Sequence, residues 1–188
     1  MADTLRAFVA VQLSAPPPLV AVLSQLRQLG RAVKAMAAEN LHVTLKFLGD
    51  TDSERIPEIK QLLQESVAGQ PEFVVRLRGL GAFPHAGRPS VIWAGLLDAE
   101  PLERMASELE TRLEPLGYPA EARRFQPHLT LARVKAAPPG ELQSILLHHT
   151  TTDFGSAVIC KVELIESELH PSGSRYRIWH TEPLTGAE

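Results

Sequence analysis

Apolar and polar positions along the chain follow two rhythms, one of period two and one near 3.6, and their order predicts the elements. Arg6 to Leu13 (RAFVAVQL) is β-prone and reads as a first strand, ended by Ser14-Ala15-Pro16-Pro17-Pro18. The prolines are placed to open a helix, because a proline in the first turn sacrifices no helical hydrogen bond. Leu19, Val22, Leu23, Leu26 and Leu29 then recur at helical spacing, with Gly30 as the stop. Leu41 to Leu48 is a strand broken by Gly49-Asp50, and a helix follows from Ser53 to Val67 with Ile56, Ile59, Leu62, Leu63 and Val67 on one face. Glu72 to Leu80 and Ser90 to Leu97 are two further strands around a Pro/Gly loop, residues 84–89.

The second half repeats this order. A helix from Ala99 to Leu116 carries Leu102, Met105, Ala106, Leu109, Leu113 and Leu116 on one side. A strand from His128 to Val134 and a helix from Gly140 to His148 come next. Two long strands, Phe154 to Leu169 and Arg175 to Thr181, close the chain, and the Pro171-Ser172-Gly173-Ser174 connection predicts an antiparallel hairpin. Several neighbouring strands have links too short for a parallel crossover, which favours α+β with antiparallel sheet over a doubly wound fold. No linker divides the 188 residues, so residues 1–188 read as a single bilobal domain: two similar lobes, each with a helix leading into a His-x-Thr strand.

Composition narrows the function classes. Hydrophobic residues make up 44% and charged residues 22%, ordinary values for a soluble globular protein. No apolar stretch reaches a membrane span, and Met1 to Arg6 lacks the basic and apolar regions of a secretory signal, so a cytoplasmic location is expected. Cys160 is the sole cysteine, which excludes an intramolecular disulfide and a zinc–thiolate cage. A net charge of −3 argues against a broad nucleic-acid coat but leaves room for one phosphate or one RNA end held by local cations. Lys46, Arg123, Arg124, Arg133 and Lys135 gather near the two motifs, most of them readable as a solvated surface.

The candidate chemistry lies in a doubled pattern. Leu41-His42-Val43-Thr44-Leu45 and Pro127-His128-Leu129-Thr130-Leu131 each place a histidine and a threonine two residues apart in a strand. Side chains at i and i+2 share a face, so the imidazole and hydroxyl project together while the aliphatic neighbours face the core. One such strand is most simply a structural histidine beside a good strand former. Two copies, each following a helix, repeat a polar pair that core packing does not require. Phosphodiester hydrolysis needs a base for the attacking water and an acid for the leaving oxygen, and imidazole suits both near neutral pH. Two threonine hydroxyls could donate to the non-bridging phosphate oxygens, and the scheme needs no metal or cofactor.

These residues resemble the 2H phosphoesterase superfamily, and within it the bacterial and archaeal RNA 2′,3′-cyclic phosphodiesterases known as 2′-5′ RNA ligases. The resemblance extends to Arg6-Ala7-Phe8-Val9-Ala10, Glu39 to Gly49, Val91-Ile92-Trp93-Ala94-Gly95, Arg124 to Arg133, and Glu166-Ser167-Glu168-Leu169 with Pro171, Gly173 and Tyr176. It implies two antiparallel sheets facing each other across a central cleft with helices outside, His42 and Thr44 on one wall, His128 and Thr130 on the other. It implies opening of a 2′,3′-cyclic phosphate on an RNA 3′ end or nucleotide to a 2′-phosphate, with His42 as general acid and His128 as general base. Ligation of 2′-5′ linkages would be the related reverse-type reaction. The partner is then RNA or a nucleotide, with no membrane, no protein partner and a monomeric chain.

Arg133 matches a family position associated with the phosphate, yet strict alternation sets it opposite His128, so that role requires a bulge or a strand end after Thr130. Phe125 is either a stacking surface for a terminal base or an ordinary core residue. Lys46 shares the His42 face by alternation, and a solvated lysine is its simplest reading. Tyr176 is a weaker candidate. His85, His148, His149, His170 and His180 read as structural or surface residues, Trp93 and Trp179 as core or cleft wall, and Cys160 as a buried strand residue. Two other classes compete with hydrolysis: a module that binds an RNA end without turnover, and a metal hydrolase with histidine ligands. The intact His–Thr pairs weigh against the first, and the absence of a helical His-x-x-x-His spacing against the second.

Overall fold

Two antiparallel sheets organise the described residues, 4–170 and 173–185, of the computed structural model. In chain order the elements are β1 (Thr4–Gln12), α1 (Pro17–Gln28), β2 (Val33–Ala35), β3 (His42–Asp52), α2 (Ile56–Val67), β4 (Phe73–Phe83) and β5 (Val91–Leu97). They continue with α3 (Glu100–Leu113), β6 (His128–Val134), α4 (Gly140–His148), β7 (Asp153–Ile159), β8 (Lys161–His170) and β9 (Gly173–Pro183). One sheet has the order β3-β1-β8-β9 and the other β2-β6-β5-β4-β7. The α+β, two-lobed architecture expected from the sequence is what forms.

The lobes mirror one another. β1-α1-β3-α2 and β5-α3-β6-α4 run in the same order, and β3-β1-β8-β9 corresponds to β6-β5-β4-β7. The helices are exchanged between them. α1 packs on β2, β6 and β7 of the second sheet, while α3 packs on β3 of the first and against α2. This exchange gives a physical reason why no linker is visible: each lobe completes its core with a helix from the other half. The buried faces follow the predicted periodicity, with Leu19, Val22, Leu23 and Leu26 on α1 and Leu102, Met105, Ala106, Leu109 and Leu113 on α3. Pro17 and Pro18 open α1, and Pro101 sits in the first turn of α3.

Four readings of the chain need correction. The strand at 41–48 does not stop at Gly49 but runs to Asp52, because Gly49 takes a positive φ of 68° and Leu48 is accommodated as an extra residue opposite β1. The single strand expected from Phe154 to Leu169 is two strands split at Cys160: β7 closes the second sheet and β8 lies inside the first. Cys160, at that crossing, is exposed rather than buried. The short β2, not foreseen, pairs with β6 through Val33↔Val134 and Ala35↔Ala132. The closing hairpin pairs antiparallel from His170↔Gly173 outward, and Pro171 and Ser172 of its turn lie outside the described residues. No helix among the described residues is long and apolar enough to cross a membrane.

Candidate active site

β3 and β6 carry the two motifs, and both strands break alternation at the same place. Opposite β1, Ala10 pairs with Thr44 and Val9 with Lys46, so Leu45 is the extra residue. Opposite β5, Trp93 pairs with Thr130 and Ile92 with Ala132, so Leu131 is the extra residue. Each bulge puts two consecutive residues into the core, Leu45-Lys46 and Leu131-Ala132, and returns the next one to the open face. His42, Thr44 and Phe47 therefore share one face, with Phe47 57% exposed, and His128, Thr130 and Arg133 share the other. Of the two devices that would bring Arg133 to the cleft, a bulge or a strand end, the strand uses the bulge and continues to Val134.

The same bulge overturns the reading of Lys46. It does not share the His42 face or meet solvent; it is 2% exposed, with Nζ 2.6 Å from Glu110 Oε2 and 2.5 Å from the Pro119 carbonyl. Glu110 also accepts from the Glu121 amide at 3.1 Å. A buried ammonium thus ties β3 to α3 and to the segment leading into the second motif.

Both imidazoles are held by the same device. His42 Nδ1 lies 2.8 Å from the Asn40 carbonyl, and His128 Nδ1 lies 2.8 Å from the Gln126 carbonyl. A carbonyl oxygen only accepts, so Nδ1 carries the proton in each ring and Nε2 is left for other chemistry. Aromatic rings fix the orientations. Phe8 stands 5.0 Å from His42 and Tyr176 meets it edge-on at 5.3 Å. Phe83 meets His128 edge-on at 5.1 Å and packs on Trp93 at 5.3 Å. Phe8, Ala10 and Ile165, with Tyr176 against them, form a small apolar cluster apart from the main core, lining the His42 wall.

Charge links the two walls. Burial holds the His42 pKa below the usual histidine value; the Asn40 carbonyl works the other way, and the Arg133 charge adds to the lowering. The Tyr176 hydroxyl is pushed up by burial, with the Arg133 charge and a hydrogen bond to Ser174 opposing. Arg133 of the second sheet therefore acts on two groups of the first, which fits walls that face each other. Among the described residues, no three His, Cys, Asp or Glu side chains come together as a ligand set.

Phe125 is half-buried and packs against the main core. His149 contacts His148 at 4.7 Å, His180 Nε2 lies 3.1 Å from Glu182 Oε2, and His85 is exposed in its loop. Trp93 lies on the open face over Gly81, a cleft-wall position, and Trp179 Nε1 donates to Glu166 at 2.9 Å. Sequence reasoning missed Phe83 and the roles of the Asn40 and Gln126 carbonyls. Their common position, two residues before each histidine, is in the sequence, but every residue offers a carbonyl and nothing marks these as acceptors.

Comparison with known proteins agrees with this geometry. A model of the 2′-5′ RNA ligase superfamily matches residues 15–170. An RNA 2′,3′-cyclic phosphodiesterase of Archaeoglobus fulgidus is 35% identical over 175 residues, covering 92% of this chain and 97% of that protein. The Methanothermobacter thermautotrophicus protein of the same name is 32% identical over 181 residues, covering 91% and 94%. A crystal structure of a Thermus thermophilus protein superposes with TM-score 0.78 at 30% identity, covering 97% of this chain and 100% of that one. Escherichia coli LigT complexed with 3′-AMP superposes with TM-score 0.71 at 26% identity, covering 97% and 99%. With a family match over most of its length and two histidine–threonine strands on facing sheets, the chain belongs to the 2′-5′ RNA ligase superfamily of 2H phosphoesterases.

Proposed function

We propose that the protein hydrolyses the 2′,3′-cyclic phosphate of an RNA 3′ end or nucleotide to a 2′-phosphate, using His42 and His128 without a metal. One observation carries this reading: two bulged strands hold two imidazoles in the same tautomer, each by an Nδ1–H bond to the carbonyl two residues before it. Binding alone has no need for two matched acid–base groups. The names of the relatives, RNA 2′,3′-cyclic phosphodiesterases, support the substrate.

In this scheme His128 Nε2 takes a proton from water as its oxygen bonds to phosphorus. The bond from phosphorus to O3′ breaks, and His42 Nε2–H protonates O3′, leaving a 3′-hydroxyl and a 2′-phosphate. Proton exchange with solvent then restores both rings. The Asn40 carbonyl stabilises the charged form of His42, and a bound phosphate anion would raise its pKa further against burial. Thr44 and Thr130 donate to the non-bridging oxygens, and Arg133 neutralises the charge that develops there. Phe125 is the candidate stacking surface for the terminal base. With an RNA hydroxyl in place of water, the same groups would run 2′-5′ ligation.

The test is an RNA oligonucleotide ending in a 2′,3′-cyclic phosphate, incubated with the protein in EDTA and resolved against 2′- and 3′-phosphate standards. A 2′-phosphate product is expected, with His42→Ala and His128→Ala each slowing turnover by about 10²–10⁴-fold. A 3′-phosphate, abolition by EDTA, or near-normal activity in either variant would overturn the scheme. Binding of the RNA without turnover would make the protein a binding module.

A further inference from the structure

One cation on the open face of the second sheet is not used by the chemistry above. Gly95 pairs with His128 on one side and with Arg78 on the other, so the three form a single cross-strand row with side chains on the same face. Two strand spacings of about 4.8 Å separate the His128 and Arg78 backbones by roughly 10 Å. Gly95 keeps the row clear. A Cβ there would sit 2.6 Å from the Arg78 carbonyl oxygen, so a residue larger than glycine does not fit; the edge of the Trp93 ring lies 3.7 Å from that position and borders the row. Arg78 is exposed and forms no ion pair among the described residues; Nε reaches only the Thr151 carbonyl, at 3.4 Å. Asp153, its neighbour across β7, turns Oδ1 onto the Gly155 amide at 2.8 Å. Two residues along β4, Arg76 differs: Asp98 holds it at 2.7 Å.

We propose that Arg78 binds the phosphodiester one nucleotide 5′ of the cyclic phosphate, so that the protein selects oligonucleotide ends over mononucleotides. This rests on the hydrolytic reading above and names its substrate class. The chemistry of the two walls favours this direction. Around His42 the wall is apolar and aromatic, with buried Phe8 behind the ring and half-buried Tyr176 edge-on to it, suited to the ribose, whereas the row leaving His128 ends in a guanidinium that no carboxylate ion-pairs among the described residues, suited to an anion. A long flexible side chain from a backbone roughly 10 Å away reaches the phosphate next to the one held by the histidines.

The experiment compares kcat/KM for a nucleoside 2′,3′-cyclic phosphate and for a dinucleotide ending in the same group. Wild type is expected to prefer the dinucleotide, and Arg78→Ala to lower the dinucleotide-to-mononucleotide ratio about fivefold while Arg78→Lys keeps most of it. The salt dependence of log kcat/KM for the dinucleotide should also lose about 0.7 of slope in Arg78→Ala, the value for one phosphate contact on a single strand. Arg76→Ala removes one exposed charge from the same strand and should leave the ratio intact. An unchanged ratio in Arg78→Ala, or an equal fall in Arg76→Ala, would overturn the contact. Turnover of neither substrate by wild type would instead remove the hydrolytic reading, and this one with it.

Discussion

Lys46→Met tests whether the buried ammonium holds the two halves of the molecule together. Methionine keeps most of the stem packing but removes the donor of two bonds, to Glu110 at 2.6 Å and to the Pro119 carbonyl. Taking one partner from a fully buried ion pair costs about 3–5 kcal/mol, chiefly because the other charge is stranded. Glu110 is 23% exposed and keeps the Glu121 amide, so the stranded charge is partly solvated and the cost falls to about 2–3 kcal/mol. At roughly 2–4 °C per kcal/mol for a chain of this size, Tm drops by about 4–12 °C. The assay is thermal unfolding followed by circular dichroism on Lys46→Met, Glu110→Leu and the double variant. Because the double variant strands neither charge, it should be within about 1 kcal/mol of wild type. A Tm for Lys46→Met within about 1 °C of wild type, or single effects that simply add in the double variant, would refute the reasoning.

Arg133→Ala should lower kcat/KM by about 10²-fold, as expected for removing one charge-stabilising group, and should raise the His42 pKa, since the Arg133 charge helps to depress it. Ring titration by NMR checks the sign: the His42 midpoint is expected below the ordinary histidine value of 6.5 in wild type and should move up in Arg133→Ala, and a wild-type midpoint at or above 6.5 would contradict it. In Gly81→Ala the new Cβ would fall 2.2 Å from the Trp93 ring, which must shift and carry with it Phe83, the ring that braces His128. Indole fluorescence should change and kcat fall about tenfold through misplacement of His128, whereas an unaltered emission spectrum would count against the contact.

Elements with strong periodicity and residues with unusual chemistry are legible in the chain alone. Leu19 to Leu26 and Leu102 to Leu113 are legible as helix faces because their burial follows from spacing alone. His42, Thr44, His128 and Thr130 stand out because a polar pair repeats where an apolar rhythm would have sufficed. What the chain could not disclose depends on contacts between distant segments. Nothing local says that β7 and β8, separated by Cys160 alone, enter different sheets, or that each half lends its first helix to the other. The fate of Lys46 and Arg133 turned on a single extra residue in each strand: alternation predicts Lys46 outward and Arg133 inward, and the bulges at Leu45 and Leu131 reverse both. A bulge is selected by the neighbouring strand's register and by what lies beneath, here Glu110 waiting for an ammonium, so only the tertiary structure could decide which face each side chain takes.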